Sequence, residues 1–228
     1  MDKDSLRWEA VKTEHLVQDE WIDFRRVAYR LPDGNVLEPF YTYSRRSYVV
    51  IVATDEEGRY ICVSQYRFGI DEVTTEFVAG GIECDGDTEY LPVCEEPGIG
   101  EKCSETKRSV AKEGTGDSES VSEEEQPNTV KAEDPLEAAK RELREESGYV
   151  SDEWEHLLTI PSNATISDNY AYIFRAKNCR KEKDQELDDC EFLAVETHTK
   201  DEMEELIGSG NFQQAMHVMA YLLAEKRN

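Results

Sequence analysis

The sequence predicts an α/β protein, and three observations carry that reading. Tyr48-Val-Val-Ile-Val-Ala53 is an unbroken apolar run rich in β-branched residues, the pattern of a strand buried on both faces. Residues 134–148 form a helix with recognisable ends. Short strand-like runs and two further helical stretches then close the chain.

Taken in order, the elements begin with a hairpin. Phe24–Leu31 and Val36–Tyr43 are β-formers joined by Pro32-Asp33-Gly34-Asn35, a turn by composition. After the 48–53 strand, Asp55-Glu-Glu-Gly58 turns the chain into a strand over Tyr60–Tyr66. Glu76-Phe-Val-Ala79 is a short apolar run that stops at Gly80-Gly81. The helix has Asp134 as N-cap, Pro135 in its first turn, Glu137 completing a capping box, and Gly148 as C-cap. Glu155–Thr159, Tyr170–Ala176 and Phe192–Thr197 follow as strands. Asp201–Ile207 and Phe212–Lys226 are the closing helices, and Ala215, Met219, Leu222 and Leu223 recur at helical spacing as a core stripe.

Composition bounds the function. The 228 residues carry a formal charge of −25, which argues against a nucleic-acid surface and against docking on an anionic membrane. No apolar run reaches the ~18–20 residues of a membrane span. The charged start lacks an apolar signal region, so the expectation is a cytoplasmic protein. The six cysteines form no CxxC pair, which disfavours zinc, and the cytoplasmic reading makes them reduced. Much of the acidity is concentrated between Cys84 and Ala132, with 13 acidic and 5 basic residues. Its core, about Glu95–Val130, is rich in Ser, Gly, Thr and Glu without apolar period and is expected to be disordered. Ser118, Ser120 and Ser122 lie beside acids there; a solvated loop is the plain reading and a phosphorylated regulatory insert the alternative.

The helix is the most informative segment. Leu136, Ala139 and Leu143 share one side, while Glu142, Glu145 and Glu146 share another. Clustered carboxylates repel unless a cation neutralises them, and oxygen ligands at this density suit Mg²⁺ or Mn²⁺. Such ions bridge phosphates and take up charge in phosphoryl chemistry. A surface helix laced with i,i+4 ion pairs is the alternative that helix geometry leaves open. The four histidines, His15, His156, His198 and His217, are read as packing or surface residues.

Glu133, seven residues, then Arg141-Glu-Leu-Arg-Glu-Glu-Ser-Gly148-Tyr149 resembles the second half of the Nudix box, G-x5-E-x7-R-E-U-x-E-E-x-G-U. Gly81, in Ala79-Gly80-Gly81-Ile82-Glu83, supplies the glycine half, but 51 residues separate it from Glu133 where the box has five. The acidic stretch is thus an insert within the box. Gln65-Tyr66-Arg67 and Glu76-Phe-Val-Ala-Gly80 further resemble the ADP-ribose and nucleoside-diphosphate-sugar pyrophosphatase branch. The resemblance covers roughly residues 20–83 and 131–225.

That resemblance implies a Nudix α/β/α sandwich around a mixed sheet, preceded by a small N-terminal β-subdomain. The expected division is residues 1–47 for the subdomain and 48–228 for the Nudix domain, interrupted by the insert at about 84–131. It implies a homodimer formed through the subdomain. It implies Mg²⁺, with Mn²⁺ as substitute, held by Glu142, Glu146, accessory Glu145 and the Ala79 carbonyl, with Arg141 orienting the carboxylates. Gly81 would allow the loop to approach the helix closely. Arg67 would contact phosphate, and Glu76 would lie near substrate or metal. Leu187-Asp-Asp-Cys-Glu191-Phe192 matches the late loop that carries the catalytic base, nominating Glu191. Trp21 and Phe40 are candidates for stacking on the nucleobase. The implied reaction is pyrophosphate hydrolysis of a nucleoside diphosphate sugar, ADP-ribose first. Another nucleoside diphosphate derivative, such as a dinucleoside polyphosphate, and a non-catalytic nucleotide-binding module are the alternatives.

Overall fold

A computed structural model describes residues 3–84, 94–95, 130–188 and 191–227. Three strands, β1 (Glu9–Gln18), β2 (Asp23–Arg30) and β3 (Val36–Ser44), form an N-terminal antiparallel sheet in sequence order. The predicted hairpin is its β2–β3 half. β1, which the sequence reading left unassigned, pairs with β2 from Glu9↔Arg30 to Gln18↔Asp23 and is exposed along its whole length. A Tyr43↔Ser167 bridge, together with Arg25 and Ser44 on Asp168, ties this sheet to the main body.

The main sheet runs β10-β11-β4-β6-β5-β12, with β9 (Tyr149–Val150) beside β11. Its strands are β4 (Tyr48–Asp55), β5 (Tyr60–Arg67), β6 (Glu72–Gly81), β10 (Glu153–Pro161), β11 (Tyr170–Lys181) and β12 (Leu193–His198). β11 and β4 are parallel and the other pairs antiparallel, so the sheet is mixed. The 48–53 run occupies β4, near the centre, where both faces are covered. Val49, Ile51 and Ala53 pack with Ala138, Ala139 and Leu143 of the box segment. Val50 and Val52 face the opposite way, towards Met203, Phe212, Ala220 and Tyr221. Period-2 alternation therefore builds two cores from one strand. α1 (Pro135–Glu142) covers one face, and α2 (Lys200–Ser209) and α3 (Ala215–Lys226) the other, which is the expected α/β/α sandwich. Among the described residues no helix is long and apolar enough to cross a membrane.

Several local expectations change. Asp134 does cap α1, accepting from Leu136 N and Glu137 N, but the Glu137 side chain pairs with Lys140 Nζ (2.7 Å) instead of closing a box. The capping box is on α2, between Thr199 and Glu202. α1 ends at Glu142 and continues as one π turn, Leu143–Ser147, before Gly148 at φ 72°. β6 begins at Glu72, four residues earlier than expected, because β5 pairs along it down to Arg67↔Glu72. On α3 the buried residues are His217, Ala220, Tyr221 and Ala224, whereas Ala215 is exposed and Leu222 is 58% exposed. That helix is apolar nearly all round, so spacing alone did not set its phase. The reduced reading of the cysteines holds for Cys62 and Cys179, both buried and free, but Cys84 is disulfide-bonded. Residue spacing without CxxC pairs does not report which thiols the fold brings together.

The insert leaves and re-enters the domain at one place. Cys84 bridges Ala132 antiparallel, Glu133 N donates to Glu83 O (2.8 Å), and β7 (Cys94–Glu95) pairs with β8 (Val130–Lys131). The expected disorder over Glu95–Val130, and the three acid-flanked serines, fall almost wholly outside the described residues.

Candidate active site

The site is assembled where α1 and its π turn lie on the end of β6. Leu143 and Ala139 anchor the helix in the core, which turns Glu142 and Glu146 inward against the strand. Both carboxylates are buried, while Glu145 is half-exposed on the outer edge. Glu146 Oε2 accepts from the Ala79 N–H at 3.4 Å. The Glu142 carboxylate lies over Gly80, occupying the place of a side chain: a Cβ there would sit 1.9 Å from Glu142 Cδ. A Cβ on Gly81 would meet nothing within 4 Å. The close approach expected of Gly81 therefore belongs to Gly80, because adjacent strand residues face opposite sides and only Gly80 faces the helix.

Arg141 joins the two halves of the box. Its Nη1 donates to Glu142 Oε1 (2.9 Å) and Glu145 Oε2 (3.2 Å). Its Nη2 donates to Gly81 O and Glu133 Oε2, both at 3.0 Å, and Nε reaches Glu133 Oε1 at 3.2 Å. Burial works against this cation, but the bond to Glu133 and the surrounding carboxylates outweigh it and hold the guanidinium charged. All of these donors go to protein groups, with Glu133, Glu142 and Glu145 the carboxylates among them.

Burial pushes the Glu142 carboxyl up to about 7, and Glu145 and Glu191 add to it while Arg141 opposes. Burial pushes Glu146 up to about 8, with Glu142 as the next cause and Glu191 contributing. Two buried acids, with the charge of Glu142 disfavouring that of Glu146, form a site whose ionised state favours a cation. Among the described residues no three His, Cys, Asp or Glu side chains converge as a ready-made cage. The donors present are two carboxylates and neighbouring backbone oxygens of β6, a hard-oxygen set that fits Mg²⁺ or Mn²⁺ with remaining positions left to water or substrate.

Arg67 and Glu76 lie further along the same face. Arg67 Nε donates to Glu76 Oε1 (2.8 Å) and Nη2 to Oε2, a two-pronged pair. Glu76 is completely buried and also accepts from Thr74 Oγ1 and from Gln214 Nε2 (3.3 Å). Burial would raise its pKa, but the bonds to Arg67 and Thr74 hold it below the ordinary carboxylate value. Glu76, expected near substrate or metal, is bonded to Arg67 and holds that side chain in place. Arg67 is 35% exposed and close enough to Glu146 to feel its charge. His217 lies beneath, its Nδ1 accepting from Phe77 N (3.1 Å), and burial lowers its pKa to about 4. The imidazole is thus neutral packing, as read from sequence. Thr74 and Gln214 were missed, since neither sits in a motif and only strand pairing and the first turn of α3 bring them to Glu76.

Glu191 lies close enough that its charge acts on both Glu142 and Glu146. Its Oε2 accepts from Asp188 N at 3.1 Å. Among the described residues, no contact brings the two stacking candidates to the carboxylates. Trp21 is 65% exposed with the Arg46 guanidinium 5.8 Å from its ring centre. Phe40 packs edge-on against Tyr29 (5.6 Å) and Trp8 (6.0 Å) in the N-terminal sheet.

Comparison with known proteins agrees with this geometry. The NUDIX domain family model matches residues 129–217, from just before the box helix to the start of α3. A sequence search of curated proteins gave no match. Among solved structures, a crystal structure of an ADP compounds hydrolase superposes with a TM-score of 0.67 at 17% identity, over 96% of this chain and 93% of that one. At that identity the likeness shows the fold. The model's match begins only after the insert, since the insert separates β4–β6 from the box in sequence while leaving them adjacent in space. The box, the family match over residues 129–217 and the fold agree on a NUDIX domain in this part of the chain.

Proposed function

We propose that this chain hydrolyses the pyrophosphate of nucleoside diphosphate sugars in a divalent-metal-dependent reaction, with ADP-ribose giving AMP and ribose 5-phosphate. The observation that carries the reading is the pairing of a buried, cation-demanding Glu142–Glu146 couple with a fixed arginine, Arg67, on the same face. A guanidinium held from behind by Glu76 still presents its exposed side to a phosphate oxygen. The fold neighbour that hydrolyses ADP compounds supports the choice of ADP-ribose as first substrate.

Mg²⁺, held by Glu142, Glu146 and the Ala79 carbonyl with Glu145 as accessory, would neutralise phosphate charge and acidify water. Arg141 keeps the Glu142 and Glu145 carboxylates in register with Gly81 and Glu133. Arg67 binds and orients the diphosphate. Glu191 accepts the proton as a water oxygen attacks one phosphorus, and the bridging oxygen leaves with the other phosphate. Trp21, and less directly Phe40, would meet the nucleobase from the N-terminal sheet. That sheet also supports a homodimer: Trp8, Val11, Leu16, Val17 and Trp21 are exposed apolar residues on and beside β1.

The test is chromatographic. Purified protein with ADP-ribose and Mg²⁺ releases AMP, release stops with EDTA, and Glu146→Gln loses it. Absence of AMP, with turnover of a different diphosphate in a panel, would replace the substrate; absence of all turnover would refute the hydrolase reading.

A further inference from the structure

The π turn that carries Glu145 and Glu146 ends, like any helix, with carbonyls that its own backbone leaves free. One segment, residues 181–186, takes them in succession. Glu186 N donates to Glu145 O (2.9 Å), and Gln185 Nε2 donates to Glu146 O (2.7 Å). Lys181 Nζ donates to Ser147 O (3.0 Å), while Glu182 N and Lys183 N donate to Gly148 O (2.9 and 3.3 Å). The fit is close, since a Cβ on Gly148 would lie 2.1 Å from Lys183 O. This segment is the stem of the loop that presents Glu191.

Gln185 has a second bond that the others lack. The same Nε2 also donates to Leu193 O (3.4 Å), at the start of β12. Residues 185 and 193 are the two ends of the Glu191 loop, so one amide joins both ends to the backbone of Glu146. Inside the loop, Glu191 N donates to Asp188 O (2.9 Å), which ties residues 188 and 191 to each other. β12 is in turn paired to β5 from Leu193↔Gln65, two residues before Arg67. We propose that Gln185 is a positioning residue that sets the distance between the Glu191 loop and the turn bearing Glu146. The proposal rests on the reading of Glu191 as the base.

Hydrogen exchange and kinetics on the full chain test it together. Gln185→Met keeps length and removes both donors, and Gln185→Glu serves if the first variant is unstable. In the variant, amides of residues 186–192 should exchange about tenfold faster while β4 and β6 stay protected, as for loss of local hydrogen bonds at the two ends of the loop. On ADP-ribose with Mg²⁺, kcat should fall by ~10–100-fold with KM nearly unchanged, the effect of a small misplacement. In a Glu191→Gln background the Gln185 substitution should cost nothing more, because the two act as one unit. Unchanged exchange in the loop overturns the proposal whatever the kinetics show, and the exchange arm needs no substrate. An equal loss of kcat in both backgrounds overturns it too, placing the effect on the Glu146 turn alone. Full activity of Glu191→Gln by itself would refute the assignment of the base, and the proposal with it, while leaving the carboxylate pair intact.

Discussion

The Glu142 carboxylate fills the space that a side chain on Gly80 would need, with Cδ 1.9 Å from the position of that missing Cβ. The carboxylate can lie this close to the strand only because residue 80 has no Cβ. Gly80→Ala must therefore push Glu142 out of register with Glu146, and hydrolysis should fall by ~10²-fold, the scale of a small displacement at a reacting centre. Gly81→Ala is the control: a Cβ there meets nothing within 4 Å, and its thermal stability and turnover should match wild type. Equal rates for Gly80→Ala and wild type would remove Glu142 from the site.

The metal-free chain should lose stability as pH rises. Glu142 and Glu146 have folded-state pKa values near 7 and 8, above the ordinary 4.5, so the folded state binds their protons more tightly than the unfolded state does. Their contribution is fully present below about pH 4.5 and is lost as pH rises through 7 and 8. Melting curves in EDTA should show a falling Tm across that window. Mg²⁺ should restore Tm at pH 8, and Glu146→Gln should flatten the slope.

Arg67 and Glu76 should behave as a unit with unequal consequences. Arg67→Met strands a fully buried carboxylate and should cost ~3 kcal/mol, at the low end for a broken buried pair because the arginine is one-third exposed. Glu76→Gln leaves a neutral group in the same volume and should cost only ~1–3 kcal/mol. Both should raise KM for a diphosphate, Glu76→Gln by releasing Arg67. Urea denaturation and initial-rate kinetics measure the two effects separately.

The insert should be dispensable for folding. Cys84 and Ala132 are bridged antiparallel, so removing residues 86–130 leaves Asp85 and Lys131 as a two-residue loop between paired positions. That shortened chain, with Asn-Gly in the loop and Cys84→Ser to avoid a free thiol, should fold and keep its activity. A variant that is native by circular dichroism yet inactive would assign the insert a part in the reaction.

Much of the fold was legible because its signals are local. The β4 run is continuously apolar, Asp134 and Gly148 bracket the box segment, and Pro-Asp-Gly-Asn closes the β2–β3 hairpin. β1 was not legible, since every residue in it is exposed and its Lys, Glu and His positions break any alternation. The phase of α3 was hidden by its nearly uniform apolarity, and Leu222 is exposed where spacing put it in the core. In the site, Glu142, Glu145, Glu146 and Arg141 are close in sequence and could be read from one helix. Thr74, Gln214 and Gln185 could not, since each acts through a partner on another element.

By itself, the sequence determined the residue types of the box, the boundaries of its helix and the place where the insert interrupts it. Those depend on helix periodicity, caps and glycine positions, which are properties of a few neighbouring residues. The tertiary structure decided the protonation and pairing of those residues. Only packing buries Glu142 and Glu146 enough to raise their pKa values, puts Gly80 rather than Gly81 under the helix, and pairs Glu76 with Arg67. Burial and distance between elements set those energies, and neither exists until the strands and helices have come together.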